Sequence, residues 1–579
     1  MSKDAAPTPA AQLRNVRLSY DQGLTWALDG ISLTLEQHER VCVLGANGSG
    51  KSTLANVLAG LMAPDEGEVT LAGHDVFEPE RGMDAEAYRE ARRSVGLVFQ
   101  DPEDQIITTV VADDVAFGPE NLRVEPAEIH QRVQRELHRV GLSDHATSDP
   151  TRMSGGQQQR VTIAGTLAMR PRLLVLDEPG AMLDVRGRSS IMRVAGELAG
   201  AGTTIVHVTH YVEEALEADR VIVLDHGHIA LDGTPAQVFS HAERLDGLHL
   251  ELPFSARLTH ELARRGVPVT WDARRDVVKE RIVAACANVD KHDVPLPPAQ
   301  PQGDKSIPAL QLTNVTFAYD HKPVLRSASL AVGAGELVAL VGQTGSGKST
   351  IARVAAALER PDKGAAHICG IPTHERRRRR ELRRKVGYVM QKPERQLFAT
   401  TVLEDVAFGP VNLGATRDEA RERAAAQLER LGIAHTADRS PFDLSGGQQR
   451  LAALAGVLVM EPEVVIMDEP LSGLDPVARA SVRTIIRNLV NDGVAILMIT
   501  HSMDDAARAA RIVVLNEGTV VLEGTPHEVF AHDELLASIG LGIPDAMRAG
   551  AALKRAGAAL TELPLTLEGL ADALAGEVR

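Results

Sequence analysis

Gly45-Ala-Asn-Gly-Ser-Gly-Lys-Ser52 follows the apolar run RVCVL and precedes a helical pattern, and Gly342-Gln-Thr-Gly-Ser-Gly-Lys-Ser349 stands in the same way after LVALV. Both stretches have the spacing of a phosphate-binding loop between a strand and a helix. Glycines let successive backbone N–H groups curl around phosphate oxygens, and the helix N-terminus adds partial positive charge. The lysine bridges the outer phosphates and the serine holds a divalent cation. The candidate contacts are Gly45, Asn47, Gly48, Ser49, Gly50, Lys51, Ser52 and Thr53 in the first loop. Gly342, Thr344, Gly345, Ser346, Gly347, Lys348, Ser349 and Thr350 are their counterparts in the second.

Working outward, the whole chain repeats. Lys348 lies 297 positions after Lys51, whereas Gln391, Ser445, Glu469 and His501 each lie 291 after Gln100, Ser154, Glu178 and His210. A period of that size is a domain length and implies two fused homologous domains, the second six residues shorter between its Lys and its Gln. In each copy, β-branched runs such as RLLVLDE, TTIVHVTH and VVIMDE alternate with Ala/Leu/Arg-rich helical stretches, which predicts a mostly parallel α/β sheet. The expected layout is a first domain over 11–245, a helical appendix over 246–289, a Pro-rich linker over 290–308, a second domain over 309–535 and a helical appendix over 536–579. The linker carries five prolines and reads as extended and semi-rigid.

Two further motifs recur. RLLVLDEP ends in Asp177-Glu178 and VVIMDEP in Asp468-Glu469, so an apolar strand delivers two adjacent carboxylates to its C-terminal edge, where open α/β sheets bind ligands. Successive strand residues face opposite ways, so one carboxylate can approach a metal while the next polarises an attacking water. MSGGQQQR (153–160) and LSGGQQR (444–450) set Ser-Gly-Gly ahead of a helix, which reads either as a second anion site or as an ordinary N-cap.

Composition narrows the function class. The 579 residues hold 62 Lys+Arg against 78 Asp+Glu, a net charge of -16, which argues against a protein held on nucleic acid by bulk charge. Cys42, Cys286 and Cys369 have neither CxxC nor Cys/His spacing, which excludes a disulfide scaffold or zinc ribbon and fits a reducing compartment. Cys42, ahead of the first loop, reads as a small apolar filler. No run of about eighteen apolar residues is present, so nothing in the sequence spans a membrane unaided. The block Arg376 to Arg380, with Arg383, Arg384 and Lys385, reads either as a solvated helix or as a surface for anionic lipid or nucleic acid; no aromatics are interleaved for base stacking.

The order P-loop, Ser-Gly-Gly-Gln, Asp-Glu resembles the nucleotide-binding domains of ABC ATPases over nearly the whole chain. The resemblance implies two tandem P-loop NTPase domains, each with a helical subdomain, that hydrolyse ATP with Mg²⁺. Two such domains face head to tail around two nucleotides. Lys51 would then share its ATP with Ser445, Gly447 and Gln448, and Lys348 with Ser154, Gly156 and Gln157. Glu178 and Glu469 resemble the catalytic glutamates, His210 and His501 the switch histidines, and Gln100 and Gln391 the Q-loop glutamines that contact Mg²⁺ or water. The implied metal set is Ser52, Gln100 and Asp177 in one copy and Ser349, Gln391 and Asp468 in the other. Asp184 and Asp475 match the D-loop aspartates. Tyr20 and Tyr319, 25 and 23 residues before the first loop glycines, match the aromatic that stacks on adenine, with core packing as the alternative. Taken alone, a histidine after TTIVHVT is more often structural.

Two departures from the common pattern, Gly180-Ala-Met-Leu-Asp184 in the first D-loop and Met153 before the first Ser-Gly-Gly-Gln, suggest mild asymmetry between the sites.

The stretches Gln100-Asp-Pro-Glu-Asp-Gln105 with DDVAFGPENL (113–122), and Gln391-Lys-Pro-Glu-Arg-Gln396 with EDVAFGPVNLG (404–414), resemble energy-coupling factor (ECF) transporter ATPases. That resemblance implies a transmembrane T protein whose coupling helices, carrying arginines, enter a groove at each Q-loop, and a separate S protein that selects a vitamin, vitamin precursor or metal ion. It places the chain on the cytoplasmic face of the cell membrane. Glu103 and Glu394 are the expected arginine partners. Asp101 and Asp104 make the first groove acidic, whereas Lys392 and Arg395 make the second mixed, so the two grooves are expected to receive different coupling helices. A soluble ABC-F translation factor would join its domains by a long charged helical linker, and a sugar-importer ATPase would lack VAFGPxNL; neither pattern fits.

Overall fold

The computed structural model describes residues 8–180, 183, 185–286, 308–319, 322–392, 395–472, 474 and 476–576. Asp184, Asp475, Glu394 and the linker up to residue 307 lie outside the described residues. The chain divides into two compact units, one of Met1–Arg257 with Thr270–Val278 and one of Leu258–Val269 with Lys279–Arg579. The segment expected as the first domain's appendix, 246–289, is therefore divided between the units. Within the second unit, Arg265 Nε donates to Asp572 Oδ1, on the helix Leu567–Ala575, at 2.6 Å.

In the first unit the P-loop strand Arg40–Gly45 is buried at every residue because it is central in a six-stranded sheet. The order is His228–Gly233, Arg220–Asp225, Arg40–Gly45, Thr204–Val208, Leu173–Asp177, Val95–Val98. Every neighbouring pair is parallel except the first, which is antiparallel. Strands covered on both faces read as continuous apolar runs, which is why RLLVLD and TTIVHV lack alternation. The second unit repeats this order with Thr519–Gly524, Arg511–Asn516, Leu337–Gly342, Ala495–Ile499, Val464–Asp468 and Val386–Val389.

The expectation of a mostly parallel sheet holds for this layer and not for a second one. Ala11–Leu18, Leu28–Leu35 and Glu66–Leu71 alternate buried and exposed positions and pair antiparallel, as a sheet with one wet face does. In the first unit this sheet has five strands, ending in the hairpin His74–Glu78 and Gly82–Met83; in the second it has four and ends at Ile371–Pro372. The six residues missing from the second copy fall at this hairpin. A helical layer completes each unit, Val111–Asn121, Pro126–Arg139 and Gly155–Ala168 in the first and Val402–Asn412, Arg417–Arg430 and Gly446–Leu458 in the second, each around its own apolar contacts.

Candidate functional site

At the C-terminal edge of the first parallel sheet, Gly50 adopts φ 99° as N-cap of the helix Lys51–Leu58, and a Cβ there would lie 2.3 Å from the Ala27 carbonyl oxygen. No side chain caps this helix, so its first N–H groups remain for an anion. Asn47, Gly48 and Ser52 are exposed along the crest. Lys51 Nζ donates to the carbonyls of Gly45 and Ala46, both at 2.9 Å, which holds the ammonium across the mouth of the loop. Lys348 repeats this with Gly342 and Gln343 at 2.8 Å, and Thr344, Gly345 and Ser349 are exposed as their counterparts are. Burial lowers both lysines below their usual range, Lys348 to about 8, against the raising effect of Glu469 and Asp468. The hydroxyl oxygens of Ser49 and Ser346 are buried without a hydrogen-bond partner among the described residues.

The carboxylates arrive on the neighbouring strand. Asp177 is the last residue of Leu173–Asp177, and Glu178 leaves the strand with φ 46° while its N–H donates to the Val208 carbonyl at 2.9 Å. Glu469 does the same at φ 53° toward Ile499. A left-handed conformation at a non-glycine residue costs of order 1 kcal/mol, and it occurs here at the same place in both copies. This turn at the strand end is absent from the sequence expectation. Burial raises Asp177 and Asp468 above the ordinary aspartate range, and the nearby hydroxyl of the P-loop serine, Ser52 or Ser349, opposes that rise. Asp177 Oδ1 remains buried and unpartnered among the described residues. An unpaired carboxylate oxygen beside a serine hydroxyl is a hard-oxygen donor set that fits Mg²⁺.

Gln100 Nε2 donates to Glu178 Oε2 at 3.2 Å, and His210 Nδ1 lies 3.5 Å from the same oxygen. The structure thus brings Lys51, Ser52, Gln100, Asp177, Glu178 and His210 together. In the second copy His501 Nε2 lies 3.4 Å from Glu469 Oε1, without the geometry of a hydrogen bond, and no bond joins Gln391 to Glu469 among the described residues. Tyr20 and Tyr319 are 66% and 39% exposed, which removes core packing as their role. The Tyr20 hydroxyl lies 3.2 Å from Thr53 Oγ1, beside the P-loop; Tyr319 stands edge-on to Phe317, with ring centroids 4.8 Å apart.

Ser154 and Ser445 are N-caps, each in a capping box with Gln157 or Gln448. Gln157 and Gln448 also approach His145 and His435, at 3.5 and 3.4 Å. Gly156 and Gly447 lie in the first turns of these helices. Within each copy the described side-chain bonds of these serines and glutamines stay local, away from that copy's own P-loop.

The sequence motifs after each Q-loop glutamine prove to be clamps. Gln105 accepts from Phe99 N at 3.0 Å and donates to Leu97 O at 3.2 Å; Gln396 does the same with Met390 N and Tyr388 O at 2.9 and 3.1 Å. Asp114 accepts from the N–H groups of Ile107 and Thr108, and Asp405 from those of Phe398 and Ala399. The clamped loops expose Glu103, Asp104 and Ile107 in the first copy and Lys392, Arg395 and Phe398 in the second, and the helices that follow expose Phe117 and Phe408. Asp101 caps the turn Pro102–Asp104 by accepting from Glu103 N at 3.0 Å, so part of its charge is engaged locally. Gln105, Gln396, Asp114 and Asp405 were visible only as letters of a motif; their role needed the backbone.

A loop of phosphate-binding spacing, paired carboxylates and a histidine beside the second of them at one sheet edge, twice in one chain, define a P-loop nucleotide triphosphatase. Residues 28–181 and 325–472 match the ABC transporter family, and the chain belongs to it as an ATP-hydrolysing, ATP-binding protein. It is 46% identical over 518 residues to a Bifidobacterium longum protein named as an ABC transporter ATP-binding protein, covering 87% of this chain and 64% of that relative, so it spans less than two thirds of the relative's length. It is 31% identical over 526 residues to YkoD of Bacillus subtilis, named for HMP/thiamine import, covering 90% of this chain and 92% of that protein. A solved structure of cbiO1 from Clostridium perfringens, described as part of the ABC transporter complex cbiONQ, is 34% identical over 44% of this chain and 99% of its own, with a TM-score of 0.37.

Proposed function

We propose that this chain is the energy-coupling subunit of an ECF-type importer, placed at the cytoplasmic face of the membrane and working with separate transmembrane T and S proteins. The observation that carries this reading is the clamped Q-loop surface. Glutamine and aspartate side chains hold the loop closed from behind, so that apolar residues such as Ile107, 64% exposed, and Phe398, 57% exposed, stand outward beside acidic or mixed charge. An exposed apolar patch rimmed by charge marks a contact surface for a partner protein or a membrane. The resemblance to a protein named for HMP/thiamine import supports a vitamin or its precursor as cargo, with a metal ion as the other member of the class.

In this reading ATP is shared between copies. Lys51 with Ser445, Gly447 and Gln448 forms one site, and Lys348 with Ser154, Gly156 and Gln157 the other. Ser52, Gln100 and Asp177, with Ser349, Gln391 and Asp468, hold Mg²⁺, which neutralises phosphate charge when bound. Glu178 and Glu469 polarise the attacking water, His210 and His501 orient it toward the γ-phosphate, and Tyr20 and Tyr319 stack on adenine. Asp184 and Asp475 pass the state of one site to the other. A ligand that bridges both halves favours closure and its hydrolysis permits opening.

The test is affinity purification from solubilised membranes. Two small membrane proteins are expected; ribosomes in their place would overturn the reading. Glu103→Ala and Glu394→Ala are expected to weaken retention of the T protein unequally, and equal losses would remove the distinction between the grooves.

A further inference from the structure

One segment differs between the copies far more than the catalytic motifs do. Residues 84–94 carry three acidic and three basic side chains, whereas the aligned residues 375–385 carry two acidic and eight basic ones. The same local structure therefore changes from neutral to strongly positive in a chain whose net charge is -16. The positive segment forms the 3₁₀ turn Arg376–Arg378 and the helix Arg379–Lys385, which leads into the strand Val386–Val389 just before the Q-loop.

Its charges are used in two ways. Arg378 forms a bidentate pair with Glu381 at 2.7 and 2.8 Å, and Lys385 pairs with Glu463. Arg380 and Arg384 both donate to the Leu413 carbonyl, at 2.9 and 2.8 Å. A neutral carbonyl anchors them and leaves their charge uncompensated. Gly414, at φ 100°, follows that carbonyl and leaves room beside the Arg380 guanidinium; the first copy has Arg123 in that place. The anchor ties the basic helix to the end of Val402–Asn412, which carries the exposed side chains of Phe408 and Val411. Arg377, Arg379 and Arg383 are exposed and have no ion-pair partner among the described residues.

We propose that Arg377, Arg379 and Arg383, backed by the anchored Arg380 and Arg384, form a contact surface for the anionic phospholipid headgroups of the membrane that the second copy faces. Basic side chains beside exposed aromatics match an interface where headgroup charge borders acyl chains. No aromatics are interleaved in the basic segment itself to stack bases, which favours a lipid surface over a nucleic acid. The contact adds to the second copy a lipid-facing surface that the neutral segment of the first copy does not offer. This inference rests on the reading of the chain as a peripheral membrane subunit, but it is tested without any membrane protein.

The purified full chain is cosedimented with vesicles of phosphatidylcholine alone and with vesicles containing one fifth phosphatidylglycerol, in 0.05 and 0.5 M salt. Binding is expected only to the anionic vesicles and mainly at low salt, because the Debye length shrinks as salt rises. At about fivefold per basic side chain, R377Q/R379Q/R383Q is expected to lower that binding on the order of a hundredfold. R377K/R379K/R383K keeps the charge and is expected to keep the binding, and the ATPase rate stays at wild type in both. Should the glutamine variant unfold, R379E and R383E taken singly carry the test. The inference is overturned if the wild type ignores lipid charge, if the glutamine variant binds as before, if the lysine variant loses binding, or if an oligonucleotide binds more tightly than the anionic vesicles at the same salt. Copurification with T and S proteins fails or succeeds independently of all four.

Discussion

At the ends of Leu173–Asp177 and Val464–Asp468 the same two carboxylates keep different company. Burial would raise Glu178, but the hydrogen bond and charge of His210, with the charge of Lys51, hold its carboxyl below the usual glutamate range. Burial dominates at Glu469 and pushes it up to about 8, with Lys348 pulling against it. Gln100 reaches Glu178, and Gln391 makes no such bond. A second difference lies behind the first. Arg450 donates to the carbonyls of Glu469, Pro470 and Gln391 at 3.1, 3.2 and 3.1 Å, cross-linking the turn after the second carboxylate to the Q-loop. The aligned residue in the first copy is Gln159, which reaches only Phe99 O at 3.2 Å and leaves its own Oε1 buried and unpartnered among the described residues. Identical motifs thus fix where the carboxylates stand, and their neighbours fix the charge state each favours.

The strongest way to break the comparison is to remove the two carboxylates in turn. Glu178→Gln and Glu469→Gln are each expected to lower steady-state ATP turnover by about a hundredfold or more, the usual worth of a positioned base. If either variant retains wild-type turnover in a phosphate-release assay, two working sites are not present and the difference in environment marks an idle one. The cross-link is tested by Arg450→Gln. It gives up charge-assisted bonds to several carbonyls and is expected to cost the second unit about 2–3 kcal/mol in urea unfolding, against about 1 kcal/mol for Gln159→Ala in the first. Equal losses would mean that the guanidinium adds nothing beyond a neutral amide.

The legible part of this molecule was what lies within a few residues along the chain. P-loop spacing, the Asp-Glu strand ends and the duplication were plain because each is a local pattern with a local physical cause. The antiparallel layer is harder to read because Ala11–Leu18 pairs with both Leu28–Leu35 and the distant Glu66–Leu71, and alternation along one strand does not say which strands it pairs with. The left-handed turns at Glu178 and Glu469 were invisible because glutamate carries no mark of positive φ. The contrast between Gln159 and Arg450 could be read as letters, but its meaning depends on the direction of carbonyls about twenty and sixty residues away in sequence.

Smaller effects sharpen the comparison at the rim. Tyr319 stands edge-on against Phe317, whereas Tyr20 lies beside Thr53 and Met62. Replacing either by alanine is expected to weaken nucleotide binding by about tenfold, within the range for an aromatic that stacks on a base, with phenylalanine restoring most of it. Titration with a fluorescent ATP analogue measures both, and an unchanged affinity would assign these exposed rings to another partner.

The smallest effect concerns the strand Thr204–Val208, which ends just before His210. His207 is buried in Thr204–Val208, opposite Cys42, and the second copy has Met498 at the aligned position. Burial, aided by the Arg40 charge and opposed by Glu178, pushes His207 down to about 3. Its Nε2 lies 3.3 Å from Glu214 Oε2 without hydrogen-bond geometry, and Glu214, raised by burial, accepts instead from Thr209 Oγ1 at 2.7 Å. Below about pH 6.5 an unfolded histidine takes up a proton that the folded one refuses until about pH 3. The first unit therefore loses stability progressively as pH falls through that window. Glu214 works in the opposite sense, because a raised carboxyl pKa makes the folded form the better proton acceptor and adds stability on acidification. His207→Met removes the first effect and leaves the second. Segment-resolved hydrogen exchange at pH 7 and pH 5 should show Thr204–Val208 losing protection relative to Ala495–Ile499 in the wild type, and keeping or gaining it in His207→Met. An unchanged acid response in the variant would mean that the buried imidazole does not set the difference in acid stability between the copies.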